Sequence, residues 1–121
     1  MIRLSTRVHG MLDYAAGALL VALPFVGGFG GGPQTWVPVG LGVALLLYSA
    51  LTDYELGLVK RLPVPAHLWL DAVGGVLLAV SPWLFGFDSE VWLPHLLVGL
   101  FEVVSAIFTD TIPAYERRRA G

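Results

Sequence analysis

Val8-His9-Gly10-Met11-Leu12-Asp13 through Ala22-Leu23-Pro24-Phe25-Val26-Gly27-Gly28-Phe29 is the stretch that decides the fold, because the chain repeats it 58 positions on. Ala66-His67-Leu68-Trp69-Leu70-Asp71 through Val80-Ser81-Pro82-Trp83-Leu84-Phe85-Gly86-Phe87 restates it without a gap. Each copy leads into an aromatic-headed apolar run that ends in Thr-Asp, Trp36 to Thr52-Asp53 and Trp92 to Thr109-Asp110. A unit repeated in sequence is a supersecondary element repeated in space. The pattern therefore speaks for architecture before it speaks for activity.

The composition belongs to a membrane. Only 13% of the 121 residues are charged, and the mean hydropathy is +0.76, far from soluble-globular usage. The chain has no cysteine, which removes disulfides and thiolate chemistry and leaves the redox compartment unread. Four apolar runs stand out, roughly residues 10–29, 36–51, 68–87 and 91–112. At 1.5 Å per residue, about 20 residues cross a hydrocarbon core of roughly 30 Å. The second run is the shortest and needs its flanks to span. None alternates with period two, which argues against barrel strands. The fold class expected is an all-α membrane protein of four transmembrane helices, arranged as two tandem helical hairpins.

Charge placement sets the orientation. All seven basic residues lie in three places: Arg3 and Arg7, Lys60 and Arg61, and Arg117, Arg118 and Arg119. The connections after the first and third runs carry none, so the positive-inside rule puts both termini in the cytoplasm. An N-terminal secretory signal is the competing reading of the two arginines and first apolar run. Asp13 interrupts that run, no small-x-small cleavage site follows, and the second copy is internal. Both repeats enter from one side, which implies a parallel pseudo-twofold along the membrane normal. A single domain over 1–121 is expected, with repeat 1 at about 6–54, repeat 2 at about 64–113 and a cytoplasmic tail at 114–121.

Ser81-Pro82-Trp83, with Leu70-Asp71 and Gly74 before it and Gly86-Phe87 after, resembles the SPW-repeat family of small bacterial integral membrane proteins. The first copy departs from the motif, with Leu23-Pro24-Phe25 in place of Ser-Pro-Trp. The resemblance runs from about Thr6 to Pro113. It implies a multi-pass protein of the bacterial inner membrane and brings no catalytic residues with it. Physically, Pro24 and Pro82 loosen the last turn of their helices. Trp83, Phe85, Phe87, Trp36 and Trp92 fall where an aromatic belt anchors the outer interface, and Gly27, Gly28 and Gly86 permit a tight hairpin. Gly75 with Ala79, Ala18 with Ala22, and Gly40 with Ala44 place small residues four apart, the spacing at which membrane helices approach closely.

The ionisable residues within the runs hold whatever chemistry there is. His9 with Asp13, and His67 with Asp71, share a helical face near the cytoplasmic end. Asp53 and Asp110 close the second and fourth runs on the same side. One reading is a proton relay or a divalent-cation site; the other is a polar layer in which Asp13 accepts from His9 or Arg7, and Asp71 from a hydroxyl or amide. Glu102 lies mid-helix, where a charge is costly, and its apparent repeat partner is Leu46. His95 is two turns before it and Ser105 one turn after. Either Glu102 is functional, or it is a protonated acid bonded to backbone or Ser105.

The reading favoured is a non-enzymatic structural or accessory membrane module. The alternative is a small proton- or cation-handling transporter that uses Glu102 and the His/Asp pairs. No nucleophile–base spacing, phosphate loop, nucleotide fingerprint or H-E-x-x-H pattern is present. No cofactor is expected, and a metal is left undetermined. The partners expected are the lipid bilayer and a further copy or another membrane protein. Nucleic acid is not among them, since Arg117–Arg119 suits topology or anionic lipid.

Overall fold

Ser5 opens the first helix: its Oγ accepts the Val8 N–H at 3.1 Å, an N-cap bond. In the computed structural model, which describes residues 3–116, α1 therefore runs Thr6–Val26, four residues earlier than the apolar run begins. Proline in the first turn starts the other three helices, where its missing N–H costs nothing. These are α2 (Pro33–Ala50), α3 (Val64–Leu84) and α4 (Leu93–Ile107). A single helical turn follows at 114–116. Among the described residues, regular structure is helical apart from two isolated bridges, Leu4 with Thr109 and Thr52 with Leu62. The expected charges at Arg117, Arg118 and Arg119, and most of the expected tail, lie outside the described residues.

The ends of α1 and α3 are one device used twice. The Phe29 N–H reaches the Pro24 carbonyl at 2.9 Å, and the Phe87 N–H reaches that of Pro82 at 2.7 Å. Between them Gly28 (φ 64°) and Gly86 (φ 74°) take the left-handed conformation. This is a Schellman ending, in which the prolines supply the carbonyl and glycine the turn. Helix continues through Pro24 and Pro82, each two residues from the helix end. The fourth apolar run extends to Ile112, but α4 stops at Ile107. There the chain is taken over by the N-terminal segment: the Leu4 N–H binds the Phe108 carbonyl at 2.7 Å, and the Asp110 N–H binds that of Leu4 at 2.9 Å.

α1 packs closely on α2, and α3 on α4; α2 meets α3, and α1 meets α4, more lightly. Glycines set both close approaches. A Cβ on Gly42 would stand 2.8 Å from the Gly17 carbonyl oxygen, and one on Gly99 would stand 2.5 Å from that of Gly75 and from the Ala79 nitrogen. Gly75 and Ala79 thus face their partner helix as expected. Ala18, Ala22, Gly40 and Ala44 are exposed instead, because Gly17 and Gly42 occupy the inward faces of their helices. The matched glycines also correct the repeat register in the return helices. Gly42 matches Gly99 and Thr52 matches Thr109, so Glu102 answers to Leu45 rather than Leu46.

Many polar side chains lie inside the molecule and many large apolar ones outside. Thr6, His9, Asp13, Ser49, Thr52, His67, Asp71, Glu102, Ser105 and Thr109 are buried, while Leu19, Phe25, Trp36, Leu47, Val73, Trp83, Leu97 and Ile107 are exposed. Water would reject such a surface, but hydrocarbon does not. By length and composition, α1 and α3 suffice to cross a membrane; α4 is a shorter apolar helix, and α2 has 18 residues with Gln34 and Thr35 in its first turn.

Candidate functional site

The N-terminal halves of α1 and α3 each carry His and Asp four residues apart, so each pair projects from one face. The fold turns those faces toward each other. His9 Nε2 lies 2.6 Å from Asp71 Oδ2 and 3.0 Å from Asp13 Oδ2. His67 Nε2 lies 2.7 Å from Asp13 Oδ2 and 3.3 Å from Asp71 Oδ2. The shorter contact of each histidine is to the aspartate of the other repeat. All four residues are at most 1% exposed, and the two imidazoles meet edge to face at 5.4 Å.

Two threonines decide which ring nitrogen faces the centre. Thr109 Oγ1 donates its proton to the Ser105 carbonyl, and Thr52 Oγ1 donates to that of Tyr48. A hydroxyl has one proton, so toward the histidines both threonines can only accept. His9 Nδ1 at 2.8 Å from Thr109 and His67 Nδ1 at 2.7 Å from Thr52 are therefore the protonated nitrogens. Both Nε2 atoms are left for the carboxylates, and each short Nε2–Oδ2 contact must hold a shared proton. Otherwise lone pair would face lone pair. The Tyr48 hydroxyl donates to Asp71 Oδ1. The rings of Tyr48 and Tyr54 lie 4.9 and 5.4 Å from that of His67.

Glu102 stands beside this quartet, 4% exposed, with neither carboxyl oxygen hydrogen-bonded among the described residues; Asp13 Oδ1 is in the same condition. The charges that act on Glu102 are those of Asp13, Asp71 and His9. With Asp71 and Tyr48 it lines a cavity of about 250 Å³ between α2 and α3, otherwise walled by leucine, valine, alanine and glycine. Ser105 does not serve the carboxyl: its hydroxyl goes to the Glu102 backbone carbonyl at 3.1 Å.

The remaining candidates lie apart. Asp53 accepts from the Tyr115 hydroxyl, and Asp110 pairs with Arg3 at 3.3 Å, so neither joins the quartet. His95 sits at the opposite end of α4. Its Nε2 donates to the Gln34 carbonyl at 2.9 Å, and its ring packs against Phe87 at 4.9 Å and Phe29 at 5.5 Å. Trp83 meets Trp92 at 6.1 Å, as Phe25 meets Trp36 at 6.2 Å, and Ser81 bonds its own helix at Leu78. The motif residues thus lie at the hairpin ends, in contact with each other or with their own helices. Thr52, Thr109 and Tyr48 escaped selection. The threonines had a signal, recurring beside Asp53 and Asp110; Tyr48 had none, because Ser105 stands at its matching place.

The family model of the SPW repeat domain matches residues 7–109. Three curated relatives are the threonine/homoserine exporter RhtA from Escherichia coli strains K12, O6:H1 and O157:H7. Each is 31% identical over an alignment of 110 residues that covers 86% of this chain and 37% of the relative. The chain thus spans little more than a third of their length. No solved structure matches.

Proposed function

The chain belongs to the SPW repeat family, and on that premise we propose that this membrane protein is a non-enzymatic structural or accessory module. Its four helices cross the bacterial inner membrane, with both termini and the quartet on the cytoplasmic side. Arg3, Arg7, Lys60 and Arg61 flank the quartet end of the helices, and the uncharged Gly27–Thr35 connection lies at the other. α4, at 15 residues, covers about 22 Å and relies on its flanks or a thinned bilayer. The observation that carries the reading is the reciprocity of the centre. Each repeat's histidine is held by the other repeat's aspartate and threonine, so the polar groups join the hairpins. The apolar outer faces are offered to lipid, to a second copy or to another membrane protein.

A second reading, a proton- or cation-handling transporter, draws support from Glu102 and Asp71 meeting at one cavity and from the similarity to an exporter. Proton and cation flux into liposomes separates the two. A structural module gives no flux from correctly inserted protein. Flux that disappears in Glu102→Gln would replace that reading with transport.

A further inference from the structure

We propose that His9, Asp13, His67 and Asp71 form a binding site for one tetrahedral first-row divalent metal ion of the zinc class. The ligands are Nε2 of each histidine and Oδ2 of each aspartate. Four such donor atoms lie within 4.8 Å of one another. Around an ion with bonds of about 2.0–2.1 Å, tetrahedral donors stand roughly 3.3 Å apart. The four nitrogen–oxygen separations are now 2.6–3.3 Å, so a small outward movement of the side chains admits the ion.

Two further features suit a metal better than a hydrogen-bonded lock alone. The outer shell is already built: each Nδ1–H is committed to a threonine and Asp71 Oδ1 to Tyr48, the support that metal-ligating histidines and carboxylates require. The charges cancel, since two carboxylates balance one divalent ion and the imidazoles bind as neutral ligands. The ion takes the place of the two shared protons, which leaves the buried charge unchanged.

The donor set selects the ion. Two imidazoles and two carboxylates with no sulfur favour zinc, cobalt and their neighbours over copper(I), and four ligands are too few for calcium or magnesium. Four protein ligands in a dry site make a closed, structural centre rather than a hydrolytic one. The inference stands on the convergence of the quartet and is independent of whether the protein conducts ions.

The test uses the full chain in detergent micelles, stripped with a chelator and titrated with Co²⁺. Expected are one Co²⁺ per chain, the intense visible bands of tetrahedral cobalt, and their loss when Zn²⁺ displaces it. His95→Gln keeps the bands, since His95 lies at the far end of α4. His67→Gln and Asp71→Asn abolish them, and Thr52→Val, which retains every ligand, weakens binding roughly 10- to 100-fold. Folded protein that shows no saturable binding, or only the weak spectrum of six-coordinate cobalt, overturns the proposal. So does loss of the bands in His95→Gln with retention in His67→Gln. Should the ligand variants fail to fold, Thr52→Val decides: weakened binding supports the site and unchanged affinity overturns it.

Discussion

Glu102 and Leu45 hold matching places in the two hairpins, and only one of them is an acid. Leu45 is 3% exposed and packs as an ordinary core leucine; Glu102 is as deeply buried, with no hydrogen bond on its carboxyl among the described residues. Burying a polar group without a partner costs about 1–3 kcal/mol. Under the structural reading, Glu102→Leu restores the symmetry and raises the thermal midpoint in detergent by that order of free energy. A lower midpoint would mean that the carboxyl makes a favourable contact the hydrophobic side chain cannot replace. The anomaly itself was legible as a lone mid-helix acid. That it sits beside Asp13 was not, because the neighbours come from another helix.

At the scale of elements, the close approaches of α1 to α2 and of α3 to α4 rest on single hydrogen atoms. In Gly99→Ala the new methyl meets backbone 2.5 Å away, so the helices must part, at a cost of about 1–3 kcal/mol. In Gly40→Ala nothing lies within 4 Å, and the gain in helix propensity is about 0.5–1 kcal/mol. Opposite signs in the two unfolding midpoints are the expected result; equal losses would show that both glycines are packed. Spacing marks Gly40, with Ala44, as a small residue at helical period, but does not mark Gly99. Which face is turned inward depends on the partner helix, so spacing alone points to Gly40 and Ala44 and not to the inward Gly17 and Gly42. The helix ends were more readable, since proline, glycine and phenylalanine recur at fixed offsets and the Schellman ending is local.

Across the whole molecule the two repeats are braced crosswise. Leu4 joins the chain after α4 as Leu62 joins the chain after α2, so each return helix ends against the segment that leads into a hairpin's first helix. Glu55, in the α2–α3 connection, ties that brace to α1. Partial burial pushes its carboxyl up, but the Thr6 hydroxyl at 2.6 Å, the backbone N–H groups of Glu55 and Ala114, and nearby Lys60 together hold it below the ordinary value of 4.5. A carboxyl lowered on folding stabilises above its unfolded pKa, and the contribution is lost as pH falls through the folded one. Thermal unfolding of the native chain and Glu55→Gln should differ at pH 7, with the gap closing below about pH 4.5. A constant gap would place the effect in packing, not charge.

The order of His, Asp, Pro, Gly and Phe at a constant interval determined the doubled hairpin, the helix endings and the apolar exterior, because each depends on residues within a few turns of one another. Tertiary structure decided that the two His/Asp pairs are one centre, that Thr52, Thr109 and Tyr48 complete it, and that Asp53, Asp110 and His95 stand outside. Residues 9 and 71 are neighbours only once the second hairpin has docked. Spacing along a chain states which face of a helix a side chain shares; packing between helices states what that face meets.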